Sequence, residues 1–151
     1  MLRLSRKLLY ALEAVVDIAY NAGTDPAQSR DITKRQGIPP RYLEQVMQKL
    51  VRAGILRGVR GPRGGYRLAR ERRRITVGEV ARVVYESDDS GDAMTAANAS
   101  ELARRVVRPL WGEVQDTVMR ELDAITIEDL CLRAHAKGVE SPTGERVHFD
   151  I

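Results

Sequence analysis

Among 151 residues there is one cysteine, Cys131, and there are two histidines, His135 and His148. A single thiol cannot close an intramolecular disulfide, so a reducing compartment, the cytoplasm, is expected. With so few histidines and cysteines, and no paired carboxylates or nucleophile–base motif in a recognisable context, no catalytic constellation is present and enzymatic activity is not expected. Long apolar runs are also missing. No stretch approaches the roughly 20 apolar residues of a membrane-spanning helix, and Glu13 and Asp17 interrupt the N-terminal segment where a secretory signal would be apolar. Neither membrane insertion nor secretion is therefore expected. Aromatics are scarce at 5%, yet hydrophobic residues reach 43% and charged residues 30%, the balance of a chain that folds around one core with an extension.

What is present is unevenly placed. Residues 1–29 hold 3 basic and 3 acidic side chains, residues 30–74 hold 14 against 3, a net +11, and residues 75–151 hold 8 against 15, a net −7. One folded segment thus concentrates the positive charge, which favours a polyanionic partner.

Hydrophobic spacing predicts an amphipathic first helix over residues 8–22, carried by Leu8, Leu12, Val15, Val16 and Ala19. Ser29 is placed to cap a short second helix ending near Gln36, and Gly37 supplies the sharp exit of a helix-turn-helix. A third helix opens at Pro39 or Pro40 and repeats Leu43, Val46, Met47, Leu50 and Val51 as one apolar stripe. Its other face presents Arg41, Tyr42, Glu44, Gln45, Gln48 and Arg52. Arginine and glutamine can make paired hydrogen bonds to purine edges and glutamate can accept from cytosine, in a major groove wide enough for a helix. Residues 55–69 read as two short strands around a glycine-rich turn bearing Arg60 and Arg63, the wing that follows a recognition helix. Phosphate-binding glycine motifs of the GxGxxG and GxxxxGK[ST] kind are absent from that turn. A basic RNA-binding protein would share the charge, but helix-turn-helix plus wing argues for duplex DNA.

Thr76 opens a fourth helix to about Tyr85, with Val80, Val83 and Val84 facing the first. Residues 87–99 are small, polar and acidic, a linker loop. From Ser100, Leu102, Val106, Leu110, Val114, Val118 and Leu122 recur every four residues, flanked by Val107 and Trp111, and so long a ridge calls for a homodimer. Pro109 either bends this helix or begins it. Thr126 with Asp129 marks the start of a last short helix to about Ala136, and residues 137–151 read as a flexible tail. The expected class is mainly α: a winged helix-turn-helix over residues 1–86 with a small two-stranded wing, then a long C-terminal dimerisation helix within residues 100–136.

Several segments carry a resemblance: Tyr10-Ala11-Leu12, Tyr42-Leu43-Glu44-Gln45, Gly54-Ile55-Leu56, Val59-Arg60-Gly61-Pro62, Gly64-Gly65-Tyr66-Arg67-Leu68, Ile75-Thr76-Val77-Gly78-Glu79-Val80 and Leu110-Trp111. In these the chain resembles the IscR-type family of bacterial winged-helix transcription regulators, which includes IscR, NsrR and CymR. The resemblance implies a dimeric promoter-binding regulator, with base contacts on Arg41, Glu44 and Gln45 and a minor-groove contact on Arg60.

The sensing half departs from the pattern. Many members hold an iron–sulfur cluster on three closely spaced cysteines before the long helix, whereas residues 87–105 here contain neither cysteine nor histidine, and Arg108 stands where some members have a histidine ligand. Other members carry no cluster and answer to a small-molecule or protein effector. Cys131 and His135, four apart, are the candidate ligands that remain for a metal or cluster, with His148 as a further candidate, and Cys131 alone could serve as a redox-active thiol; the leading reading of a cysteine between Leu130 and Leu132 is a small buried hydrophobe.

Overall fold

A computed structural model describes residues 5–23, 25–86 and 99–141 of the chain. Helix α1, Arg6–Tyr20, begins two residues earlier than its apolar spacing predicts, because the Ser5 hydroxyl accepts from the Leu8 amide at 3.2 Å and caps the first turn. It buries Leu8, Ala11, Ala14, Val15, Ile18 and Ala19 and forms the centre of the core. Helix α2, Ser29–Gln36, is capped one residue before the expected Ser29. Ala27 is held extended by a β-bridge to Tyr66, so the chain can turn into a helix only at Gln28, whose carbonyl takes the first amides. Gly37 then takes the left-handed conformation, φ 66°, that closes α2 and swings the chain into the next helix.

Helix α3, Pro40–Arg52, starts with proline in its first turn, where the missing amide costs nothing. Leu43, Val46, Met47 and Leu50 are buried as predicted; Val51, at the margin of that stripe near the helix end, is exposed instead. Strands β1, Leu56–Val59, and β2, Gly65–Leu68, pair antiparallel with Leu56 opposite Leu68 and Val59 opposite Gly65. A single 3₁₀ turn, Arg72–Arg74, leads to α4, Val77–Glu86, which starts in a capping box between Thr76 and Glu79. Val80 and Val84 are buried, with Val83 partly so.

Ser100 caps a new helical run, its hydroxyl accepting from the Ala103 amide at 3.1 Å. The run passes through a π-turn, Ala103–Val107, before α5, Arg108–Asp123. The wider turn accommodates Pro109: the Arg108 amide reaches back five residues to the Ala103 carbonyl, and the proline ring then falls in the first turn of α5. Helix α6, Ile127–Ala136, opens with the anticipated Thr126–Asp129 capping box and buries Ile127 and Cys131 against the α1 core. Of the linker expected over residues 87–99 and the tail expected over residues 137–151, residues 87–98 and 142–151 lie outside the described residues. No described helix is long and apolar enough to cross a membrane.

Candidate nucleic-acid interface

The candidate recognition surface rests on a buried carboxylate that sequence periodicity does not reveal. Asp17 lies on the buried side of α1 at 2% exposure. Its two oxygens accept from Arg35 at 2.7 and 2.9 Å, and one also accepts from the Gln36 side-chain amide at 2.7 Å. The pairing with Asp17 raises the Arg35 pKa, against a smaller opposing effect of burial. A desolvated carboxylate is tolerable only when its lone pairs are satisfied, and here three donors from the last turn of α2 do so. The result ties α2 to α1 immediately before the Gly37 turn and thereby sets the direction in which α3 leaves.

On α3, Arg41, Tyr42, Glu44, Gln45, Gln48 and Arg52 are all exposed, opposite the buried stripe. Tyr42 leans on Tyr10 of α1, ring centroids 6.0 Å apart at 40°, so its ring is propped while one face stays in solvent. The wing is equally fixed. Ala27 and Tyr66 exchange backbone hydrogen bonds of 3.0 and 2.8 Å in an isolated bridge that ties the wing to the segment before α2, and Arg67 donates to the Gly23 carbonyl at 3.3 Å. Gly65 makes that bridge feasible, since a Cβ there would overlap the Ala27 backbone. At the tip Gly61 adopts φ 117° and its carbonyl accepts from the Gly64 amide at 2.9 Å, leaving Arg60 and Arg63 exposed.

Nine of the 14 basic residues in residues 30–74 fall into two sets. Arg35, Arg70, Arg73 and Arg74 are engaged with Asp17, Glu79 and Glu71. Arg41, Arg52, Arg57, Arg60 and Arg63 have no ion pair among the described residues, and all are exposed. Arg57, on the exposed side of β1 opposite Arg67, joins this set without having been singled out from sequence; the alternation of the strand is the signal that would have found it. Unneutralised guanidiniums on a helix face and on a hairpin beside it form a positive surface able to grip a polyanion at two places.

The candidate metal ligands are not assembled in the same way. Cys131 is wholly buried, and burial pushes its thiol above the ordinary cysteine range, with Arg72 partly opposing. His135, one turn later, is exposed. Among the described residues no group of three or more histidine, cysteine or acidic side chains could hold a metal ion, and His148 lies outside those residues. A protonated thiol inside an apolar core does not suit a thiolate-ligated iron–sulfur cluster.

The α5 face is of another kind. Leu102, Leu110 and Trp111 are 65%, 59% and 50% exposed, and Val106, Val107 and Val118 are exposed beside them. Leu122, expected on the same ridge, instead packs with Met119 against the core, because the end of α5 is drawn in by the corner into α6.

Residues 4–133 match the family model described as Rrf2, iron-dependent transcriptional regulator. The HTH-type transcriptional regulator IscR of Vibrio atlanticus (strain LGP32) is 37% identical over 129 residues, covering 85% of this chain and 75% of that protein. Its counterpart in Enterobacter sp. (strain 638) is 36% identical over 129 residues, covering 85% and 79%. Among solved structures, T. potens IscR superposes with a TM-score of 0.72 at 32% identity over 94% of this chain and 95% of that one. CymR of B. subtilis, a global cysteine regulator by its description, gives 0.67 at 32% identity over 88% and 98%.

Proposed function

The chain belongs to the Rrf2 family of transcription regulators, and from that premise we propose that it binds promoter DNA in the cytoplasm as a homodimer and represses transcription there. The observation that carries this reading is the pairing of two exposed, unneutralised elements on one rigid head: the α3 face with Arg41, Glu44, Gln45, Gln48 and Arg52, and the wing tip with Arg60 and Arg63. Helix α3 enters a major groove, with Arg41, Glu44 and Gln45 at base edges, Tyr42, Gln48 and Arg52 on base or backbone, and Arg60 reaching the adjacent minor groove while Arg63 holds phosphate. A two-fold axis along the exposed part of α5 covers Leu110 and Trp111 and presents two heads to half-sites about one helical turn apart.

As for the signal, we read this protein as a cluster-free member that answers to a small molecule or a protein partner. The support is the donor set: one buried cysteine, and no cysteine or histidine in residues 87–105. An anaerobic ultraviolet–visible spectrum with iron and sulfide assay tests this on wild type and Cys131→Ser. A colourless, iron-free protein that binds duplex DNA is the expected result, and visible bands lost in the variant would make Cys131 a cluster ligand after all. DNA recognition itself is tested by selecting duplexes from a random library and titrating them by mobility shift. Retention of the selected duplexes at physiological salt supports specific contacts, whereas preference for single-stranded RNA refutes the reading.

A further inference from the structure

If the protein acts as a dimer on two half-sites, the reading on which this inference rests, recognition requires a fixed angle between each head and α5. The corner between α5 and α6 packs Met119, Leu122, Ile127 and Cys131 against the head core and is also tied to the head by polar contacts at two points. At the first, Thr76 and Thr126 form an antiparallel bridge, flanked by hydrogen bonds of 2.8 Å from the Val77 amide to the Ile125 carbonyl and from the Ile127 amide to the Ile75 carbonyl. Apolar packing and a short bridge of this kind set where α5 meets the head more sharply than they set its fine angle. The second point is Asp123, the last residue of α5, whose carboxylate accepts from both terminal nitrogens of Arg82 on α4 at 2.7 and 2.6 Å.

We propose that Arg82 and Asp123, with Gly78 as the seat for the carboxylate, are positioning residues that fix the angle of α5 against the head and so select the spacing between DNA half-sites.

A planar guanidinium bound by both its terminal nitrogens constrains direction as well as distance. Gly78 completes the constraint: it has no side chain, the Asp123 carboxylate lies against it, and a Cβ at that position would overlap Asp123. The pair is mutually adjusted, the hydrogen bond to Arg82 holding the Asp123 carboxyl below the usual range and that to Asp123 raising the Arg82 pKa. Both side chains remain well exposed, at 47% and 38%. An exposed pair adds little to stability, so its effect falls on orientation. Leverage makes orientation matter. At 1.5 Å per residue, the 16 residues of α5 extend roughly 24 Å, and a swing of about 10° at the joint displaces the far end by about 4 Å, more than one base-pair step of about 3.4 Å.

The test uses the full chain and duplexes carrying two inverted half-sites taken from the library-selected sequences, with the spacer changed by one or two base pairs either way, beside a duplex with one half-site. Wild type is expected to prefer one spacing by about tenfold. Arg82→Ala, Asp123→Asn and Gly78→Ala are each expected to flatten that preference to about threefold or less, with dimer mass and single-half-site affinity unchanged. Arg82→Lys, which keeps the charge but loses the fork, is expected to flatten it as well. A spacing profile in Arg82→Ala identical to wild type overturns the inference while leaving the dimer reading intact, as does an equal loss of affinity at every spacing. A wild-type protein without any spacing preference overturns both.

Discussion

Helix α1 buries eight of its 15 residues, whereas α5, one residue longer, buries none. Both are amphipathic, and what separates them is company. Around α1 the other head helices, the wing and α6 supply a closed apolar shell, completed by a satisfied carboxylate at Asp17. Around the start of α5 the described residues supply no such shell, and Leu102, Leu110 and Trp111 stand in solvent. The head thus closes its own core, whereas the start of α5 leaves an apolar ridge uncovered, which in the dimer proposed above is half of an interface. Aliphatic and aromatic side chains of that size each gain about 1.5–3 kcal/mol when covered, so a paired ridge has ample driving force for association.

The largest effect is expected from breaking that asymmetry. Leu110→Glu combined with Trp111→Glu should give a single-chain mass by sedimentation, keep the helical signal in circular dichroism, and lower affinity for a two-half-site duplex by about 100-fold. An unchanged dimer mass would place the interface elsewhere.

The head and the joint can be compared through their ion pairs. Replacing Arg35 by methionine leaves the buried Asp17 carboxylate with Gln36 alone, and should cost roughly 3 kcal/mol of unfolding free energy in urea titration. Replacing Arg82 by alanine exposes no buried charge, and should cost far less than the Arg35 replacement in the same titration. Similar losses from the two would mean that burial does not distinguish them.

Legibility from sequence divides along the same line. The helix-turn-helix, the wing and the start of α6 were readable because local chemistry decides them: Gly37 must turn left-handed, Pro40 can only begin a helix, and Thr126 with Asp129 closes a capping box. Missed features depend on partners distant in sequence. Asp17 sits on α1 like any charged residue until Arg35 and Gln36 fold over it. Ser29 has good capping chemistry, yet with Ala27 bridged to Tyr66 the cap position falls on Gln28 and Ser29 becomes the first helical residue. The apolar repeat of α5 runs unbroken through Leu122, and only the turn into α6 shows that its last residues serve the core and the earlier ones do not. For the proposed recognition residues, chemistry and spacing supplied the candidates and their exposed face, and the fold added the uncompensated charge of Arg57.

Within the reading surface the wing and the helix should differ in what their loss does. Arg60→Ala removes one contact at the hairpin tip, and is expected to weaken binding to a selected duplex by about 1–3 kcal/mol in mobility-shift titration, with a smaller salt slope. Glu44→Gln should change which duplexes are selected more than how tightly they are held, because glutamate accepts from cytosine and glutamine can also donate. Equal binding by wild type and an Arg60→Ala, Gln45→Ala double variant would remove both elements from the interface.

The smallest expected effect concerns α6, the element through which α5 is anchored to the finished head. The Asp129 carboxylate accepts from the Thr126 amide at 2.9 Å, and that hydrogen bond holds its pKa below the usual range. A carboxyl depressed in the folded state stabilises fully above its unfolded pKa, and that contribution disappears as pH falls through the lower folded value. Asp129→Asn should therefore cost about 0.5–1 kcal/mol at pH 7, as the loss of a helix cap does, and the gap to wild type should narrow only below about pH 4. Because Ile127 and Cys131 are buried in the α1 core, the loss should appear in the unfolding of the head while the dimer mass stays constant. A loss of dimer mass instead would assign α6 to the interface side of the molecule.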